Sequence, residues 1–196
     1  MLIFLSILIS YLIGAFPSGI ILAKIYKIDI KNKGSKNTGA TNVARVIGKK
    51  AGIITLILDV LKGILAVYIS FTISKEIDYI SIFGFFAILG HCISLPGLKG
   101  GKGIATSFGV ISFINPTLGL LVFLIFLFSI LITKIVSLSS IISSLFILFF
   151  GLFNIFSLDS LYYLGFALIG LLTIIRHKEN IIRLINKEEK KFKFNK

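Results

Sequence analysis

Six stretches of the chain run for 15 to 30 residues with no more than one pair of charges in any of them: Leu2 to Ala23, Ala51 to Ser74, Tyr79 to Ile93, Ile104 to Thr133, Ile135 to Phe153 and Leu161 to Ile175. Runs of this length match the bilayer, whose hydrocarbon of about 30 Å takes a helix of about 20 apolar residues to cross. The composition agrees: 56% of the 196 residues are hydrophobic and 15% charged, against about 25% charged in soluble domains, and mean hydropathy is +1.01. The sequence therefore predicts an all-α polytopic membrane protein, one integral membrane domain over residues 1–196, and excludes a soluble globular domain. The net charge of +13 would suggest nucleic acid on a soluble protein; here it is a sidedness signal, and no nucleic acid is implied. The lone Cys92 cannot form an internal disulfide, and no Cys/His cluster has zinc spacing, so no metal is expected.

The 30-residue run from Ile104 to Thr133 would make a helix of about 45 Å, too long for one simple crossing. Asn115 and Pro116 break it, because proline lacks the helical donor and pushes the preceding residue out of the α region. Charge then sets the parity, since lysine and arginine concentrate on the cytoplasmic side. With seven spans, near 2–23, 51–74, 79–93, 104–114, 117–133, 135–153 and 161–175, 19 of the 21 basic residues fall on one side. The expectation is an outside amino terminus and a cytoplasmic carboxyl terminus. The first span has no basic segment before it and reads as a retained anchor rather than a cleaved leader. The Lys/Glu-rich segment 186–196 reads as a basic tail, solvated or facing lipid headgroups.

Two loops on the predicted cytoplasmic side are too rich in glycine and small polar residues to be plain connectors. Lys33 to Arg45 reads KGSKNTGATNVAR. Gly34 and Gly39 let the backbone turn its N–H groups inward, Ser35, Asn37, Thr38, Thr41 and Asn42 add neutral donors, and Arg45 adds a fork suited to phosphate. Leu98 to Thr106, LKGGKGIAT, repeats the logic with Gly100, Gly101 and Gly103 around Lys102, ahead of a predicted helix start. Neither loop fits the nucleotide P-loop pattern. The competing reading is that basic glycine loops simply rest on anionic headgroups. His91 and His177 lie at helix ends on the same side, open to a structural or a chemical role. Asp59 and Lys62, spaced i, i+3 inside the second span, are expected to pair, because an isolated charge there costs about 2.5–3.5 kcal/mol on insertion scales.

Taken together, GAFPSG at Gly14, GSKNTGATNVAR at Gly34, LDVLKG at Leu58, GH at Gly90 with KGGKGIAT at Lys99, VSLSS at Val136 and HKENIIRL at His177 resemble the motifs of bacterial acyl-phosphate glycerol-3-phosphate acyltransferases over nearly the whole chain. Three departures are Lys36 for a usual glycine, Lys178 for a usual arginine, and CISLPGL at Cys92, one residue shorter than the family's segment. The resemblance implies seven helices in a bacterial cytoplasmic membrane with the site loops on the cytoplasmic side. It implies acyl transfer from a fatty acyl phosphate to the sn-1 hydroxyl of glycerol 3-phosphate, giving lysophosphatidic acid and phosphate. Because the donor is already an activated mixed anhydride, neither cofactor nor metal is called for. Partners so implied are the two substrates, membrane lipids and the upstream enzyme that makes acyl phosphate. Carried over residue by residue, Ser35, Arg45, Lys102 and His177 are the catalytic candidates, with His177 or a substrate phosphate as the proton acceptor. Gly34, Asn37, Gly39, Thr41, Asn42, His91, Gly100, Gly101, Gly103, Ser137 and Asn180 are the substrate-binding candidates.

Rival readings come from other classes. A CoA- or carrier-protein-dependent glycerolipid acyltransferase would usually show His-x-x-x-x-Asp, but the fifth residue after His91 is Pro96 and after His177 is Ile182. A transporter for an anionic phosphorylated solute would put Asp59 and Lys62 in its path and show access to both faces. A lipid-binding scaffold would bind without turnover.

Overall fold

The computed structural model describes residues 1–93, 100–156 and 159–191. Among the described residues ten α-helices follow one another: α1 Leu2–Gly14, α2 Ser18–Ile25, α3 Ala40–Val46, α4 Lys49–Ser74, α5 Ile80–Cys92, α6 Ile104–Ile114, α7 Pro116–Thr133, α8 Val136–Asn154, α9 Ser160–Arg176 and α10 Lys178–Ile185. Each of the seven expected apolar segments is helical. Two apolar runs are interrupted, the second of them at the position expected from the sequence. The first breaks between Gly14 and Ser18, around Pro17, and the long run breaks at Asn115, whose side chain accepts a hydrogen bond from the Leu118 backbone (2.9 Å) while Pro116 takes the first position of α7.

By length and apolarity, Leu2–Ile25, α4, α7 and α8 qualify as membrane crossings, with a fifth if α9 and α10, bent by 57° at His177, count as one span. The segment Ile77–Cys92 and helix α6 are apolar but short; eleven residues rise only about 16 Å. Length alone therefore supports four or five crossings rather than seven.

The packing inverts the pattern of a soluble protein. Phe153 is 81% exposed, and Phe128, Leu131 and Leu61 face outward, whereas Ser6, Ser10, Ser70, Ser81, Ser139 and Ser144 are fully buried. In lipid, helices gain little from burying leucine against one another, so small residues and interhelical hydrogen bonds fill the contacts. Ser6 and Ser70 exchange reciprocal hydroxyl-to-carbonyl bonds between α1 and α4 (2.9 and 2.8 Å), and Ser10 donates to the Phe83 carbonyl of α5 (2.6 Å). Helices α1 and α5 come close enough that a methyl group on Gly90 would stand 2.1 Å from the Tyr11 carbonyl oxygen. A core of Ala66, Val67, Ile88, Val110, Ile111, Phe166 and Ile169 joins α4, α5, α6 and α9. The bundle brings the C-terminal ends of α5 and α9 together with the N-terminal ends of α6 and α8, and the candidate site residues gather at that end.

Candidate active site

The first glycine loop is held from within. Asn42, at the start of α3, accepts the Ser35 backbone N–H (2.8 Å) and donates to the carbonyls of Lys33 (3.1 Å) and Asn37 (2.8 Å). Its amide is thus engaged by the loop, which makes it a strut that shapes residues 33–42. Asn37 likewise accepts the Gly39 N–H (2.8 Å). Gly34 and Lys36 both adopt left-handed backbone, at φ of 64° and 57°. At position 36 a lysine carries backbone strain that a glycine would not. Ser35, Thr41 and Arg45 remain exposed.

The second loop is threaded between two helix ends. The Gly101 N–H donates to the His91 carbonyl (3.2 Å), and the Arg176 guanidinium donates to the Gly101 carbonyl (3.2 Å) and reaches that of Gly100 (3.4 Å). A Cβ on Gly101 would lie 2.1 Å from His91 Nε2, so the backbone fits against the imidazole only because no side chain intervenes. Gly103, at φ 88°, turns the chain into α6. What emerges from this threading is Lys102, whose ammonium donates to the Asn180 side-chain oxygen on α10. Residues 94–99, which hold all of the shortened CISLPGL stretch except Cys92 and Ile93, lie outside the described residues.

Asn180 passes the contact on. Its amide donates to Glu189 (2.9 Å), which also accepts from Ser137 Oγ (2.9 Å) and from Arg183 Nε (2.7 Å). His177, buried at the junction of α9 and α10, has Nδ1 2.8 Å from the Thr173 carbonyl. A carbonyl only accepts, so Nδ1 carries the proton and Nε2 of a neutral ring keeps its lone pair. The Lys102 pKa is lowered to about 8, chiefly by burial and then by the positive charge of Arg183, offset in part by Glu189 and Glu179, with Arg45 adding a smaller lowering. That Arg45 acts on Lys102 at all places the first loop's cation within electrostatic reach of the second.

Of the residues expected from sequence, the fold brings Lys102, Asn180, Ser137 and His177 to one place, with Arg45 at its edge. His91 stands apart, behind the glycine loop. Its Nδ1 is 3.6 Å from Asp59 Oδ1, the same oxygen that pairs with Lys62 (2.9 Å) and accepts from Ser18 (2.5 Å); Lys62 also donates to the Phe16 carbonyl at the break in the first helix (2.8 Å). The Asp59–Lys62 pair therefore exists as expected and ties α2 and α5 to α4. Beside it, Ser18, Thr38, Lys62, His91, Gly100 and Gly101 line a narrow cleft of about 10 Å³, room for about one water. The His91 carbonyl and ring thus hold the backbone of the second loop, and the residue also lines this cleft.

Arg183, Arg176 and Glu189 were not among the expected site residues. Arg176 and Arg183 flank the HKEN motif, which is a usable signal in hindsight. Glu189 sits in the segment expected to be solvated or headgroup-facing, and its inward turn departs from that expectation.

Residues 4–187 match the family model described as glycerol-3-phosphate acyltransferase. The chain belongs to that family. Among curated members of the glycerol-3-phosphate acyltransferase family, it is 42% identical to one from Fusobacterium nucleatum, with 97% of this chain and 98% of the relative covered, and 42% identical to one from Staphylococcus saprophyticus, with 99% and 100% covered. Two solved structures of PlsY, an integral membrane glycerol 3-phosphate acyltransferase, are also similar to it. The glycerol 3-phosphate form superposes with a TM-score of 0.88 at 36% identity, covering 97% of this chain and 96% of that one. The lysophosphatidic acid form gives 0.85 at the same identity.

Proposed function

We propose that this protein transfers an acyl group from acyl phosphate to the sn-1 hydroxyl of glycerol 3-phosphate, giving lysophosphatidic acid and phosphate, the first acylation of phospholipid biosynthesis. The observation that carries the reading is the convergence, at one end of a lipid-facing bundle, of Lys102, Asn180, Arg183, Ser137 and His177 from three separate segments, with Arg45 in electrostatic range. Such a place suits an amphiphile whose phosphate meets the cations while its chain lies along the apolar helices. The two PlsY structures, named for their glycerol 3-phosphate and lysophosphatidic acid forms, support the acceptor and the product.

In this reaction the sn-1 oxygen attacks the acyl carbonyl carbon, and the bond from that carbon to the phosphate oxygen breaks with its electron pair leaving on phosphate. The hydroxyl proton passes to His177 Nε2 or to a phosphate oxygen. Lys102 and Arg45 offset the charge gathering on the leaving group, which lowers the barrier because the charge is larger in the transition state than in the ground state. Asn180, Ser137, Ser35, Asn37 and Thr41 orient the substrates, and the glycines at 34, 39, 100, 101 and 103 let backbone approach them. The same reading takes the seven apolar segments as seven crossings, the two short ones included, with the amino terminus outside and the site on the cytoplasmic face of the bacterial cell membrane.

The test is purified protein in detergent given radiolabelled glycerol 3-phosphate with palmitoyl phosphate or, in parallel, palmitoyl-CoA. Labelled lysophosphatidic acid from the acyl phosphate alone is the expected result. Product from the CoA ester alone would overturn the donor assignment. No product from either donor, from protein shown to be folded, would overturn the acyltransfer reading and leave anion flux into sealed vesicles as the next assay.

A further inference from the structure

Glu189 belongs by composition to a solvated tail, yet its side chain is only 13% exposed. The turn after α10 delivers it there. Lys187 takes left-handed backbone at φ 59°, with its N–H bonded to the Leu184 carbonyl (3.1 Å) and that of Glu188 to Arg183 (2.8 Å), so the chain reverses and lays the next residue against α10 and the start of α8. There one carboxylate oxygen accepts from Ser137 Oγ and Asn180 Nδ2, both at 2.9 Å, and the other from Arg183 Nε at 2.7 Å. Burial raises the carboxyl's pKa, but the hydrogen bonds from Arg183, Asn180 and Ser137 and the guanidinium charge outweigh it and hold the group below the usual glutamate range. It is therefore ionised at neutral pH. Lys102 approaches the same asparagine from its other side.

A hydroxyl, an amide N–H and a guanidinium N–H aimed at one small anion, with an ammonium nearby, are what a phosphate monoester recruits. A phosphate brings about −1.5 to −2 charges to such donors where a carboxylate brings one. We propose that Ser137, Asn180 and Arg183 form an oxyanion seat that Glu189 occupies in the resting protein, and that a phosphate group enters by exchanging with this carboxylate. Arg183 thereby joins the substrate-binding residues, and the segment after α10 becomes a competitor internal to the chain. The identity of the natural ligand as a substrate phosphate rests on the function proposed above; the seat itself does not.

Two readouts on the full-length protein in detergent test the exchange. The first is hydrogen–deuterium exchange of segment 187–191 in the unaltered protein during titration with inorganic phosphate, using sulfate-free buffer. Exchange that speeds up saturably with phosphate is expected; exchange unchanged or slowed overturns the proposal. The second is the inhibition constant of inorganic phosphate and the KM of each substrate in Glu189→Gln and Glu189→Ala. Removing the competitor should tighten phosphate binding by about three- to tenfold, and Arg183→Gln should abolish the gain in the double variant. Unchanged or weaker phosphate binding in well-folded Glu189 variants would show a strut that orients Asn180, and would overturn the exchange. Should no donor give lysophosphatidic acid, the acyltransfer reading fails, and the exchange readout still decides the seat.

Discussion

Two polar clusters lie on either side of the second glycine loop, and they are built to opposite ends. Behind the loop, Asp59, Lys62, Ser18 and His91 close on one another: the carboxylate is 1% exposed and meets an ammonium, a hydroxyl and an imidazole contributed by three helices. In front of it, Lys102, Arg183, Ser137 and Asn180 meet at a carboxylate that arrives from the chain's tail. The first cluster is complete in itself and fastens the break of the first helix to the bundle. The second has cations and donors whose anion is supplied from outside the helices that carry them, which is the condition for binding a substrate. Charge buried in a membrane protein can thus be structure or chemistry, and the difference lies in whether its partners come from the bundle.

The largest expected effect is on the closed cluster. Asp59→Ala leaves the Lys62 ammonium without its counter-ion and should cost about 3–5 kcal/mol, read as a marked fall in thermal stability in detergent. The double variant Asp59→Asn/Lys62→Met should recover part of it, and full stability in the single variant would break the contrast. In the open cluster the loss should fall on activity instead. Lys102→Ala should lower kcat/KM by about a hundredfold or more with thermal stability nearly unchanged. A destabilised Lys102→Ala would place that lysine in the same class as Lys62.

A pH profile sharpens the comparison further. The Lys102 pKa is lowered to about 8, so below that value the ammonium is present to meet phosphate and above it the charge is lost. The expected kcat/KM for acyl phosphate falls about tenfold per unit as pH rises above 8. In Lys102→Arg, whose charge persists at high pH, that limb should flatten whatever the absolute rate. The smallest effect concerns the first loop. Lys36→Gly removes a left-handed lysine at φ 57° and should stabilise the protein by about 1 kcal/mol, measured as a raised midpoint of thermal unfolding.

What could be read from the sequence was what short-range physics controls. Run lengths located the helices, Pro116 located the break after Ile114, and the i, i+3 spacing of Asp59 and Lys62 foretold their pairing. The glycine loops and the residues around His177 and Asn180 pointed to the end of the bundle where the candidate site lies. The long-range partnerships were not legible. Nothing local says that His91 faces Asp59, that Asn42 spends its amide on the loop, or that Glu189, among lysines, turns inward to Ser137 fifty-two positions earlier. Charge parity favours seven crossings, whereas helix length among the described residues supports four or five, because two of the helices at that end are shorter than hydrocarbon thickness requires.

The most direct test of the account is a structure of the full-length protein with glycerol 3-phosphate and a non-hydrolysable acyl phosphonate bound. The account predicts phosphorus-centred groups within hydrogen-bond reach of Lys102 and of the Ser137–Asn180–Arg183 donors, with the Asp59–Lys62–His91 cluster unchanged. A phosphate or phosphonate seated instead against Lys62 and His91, with Glu189 still in place, would contradict it.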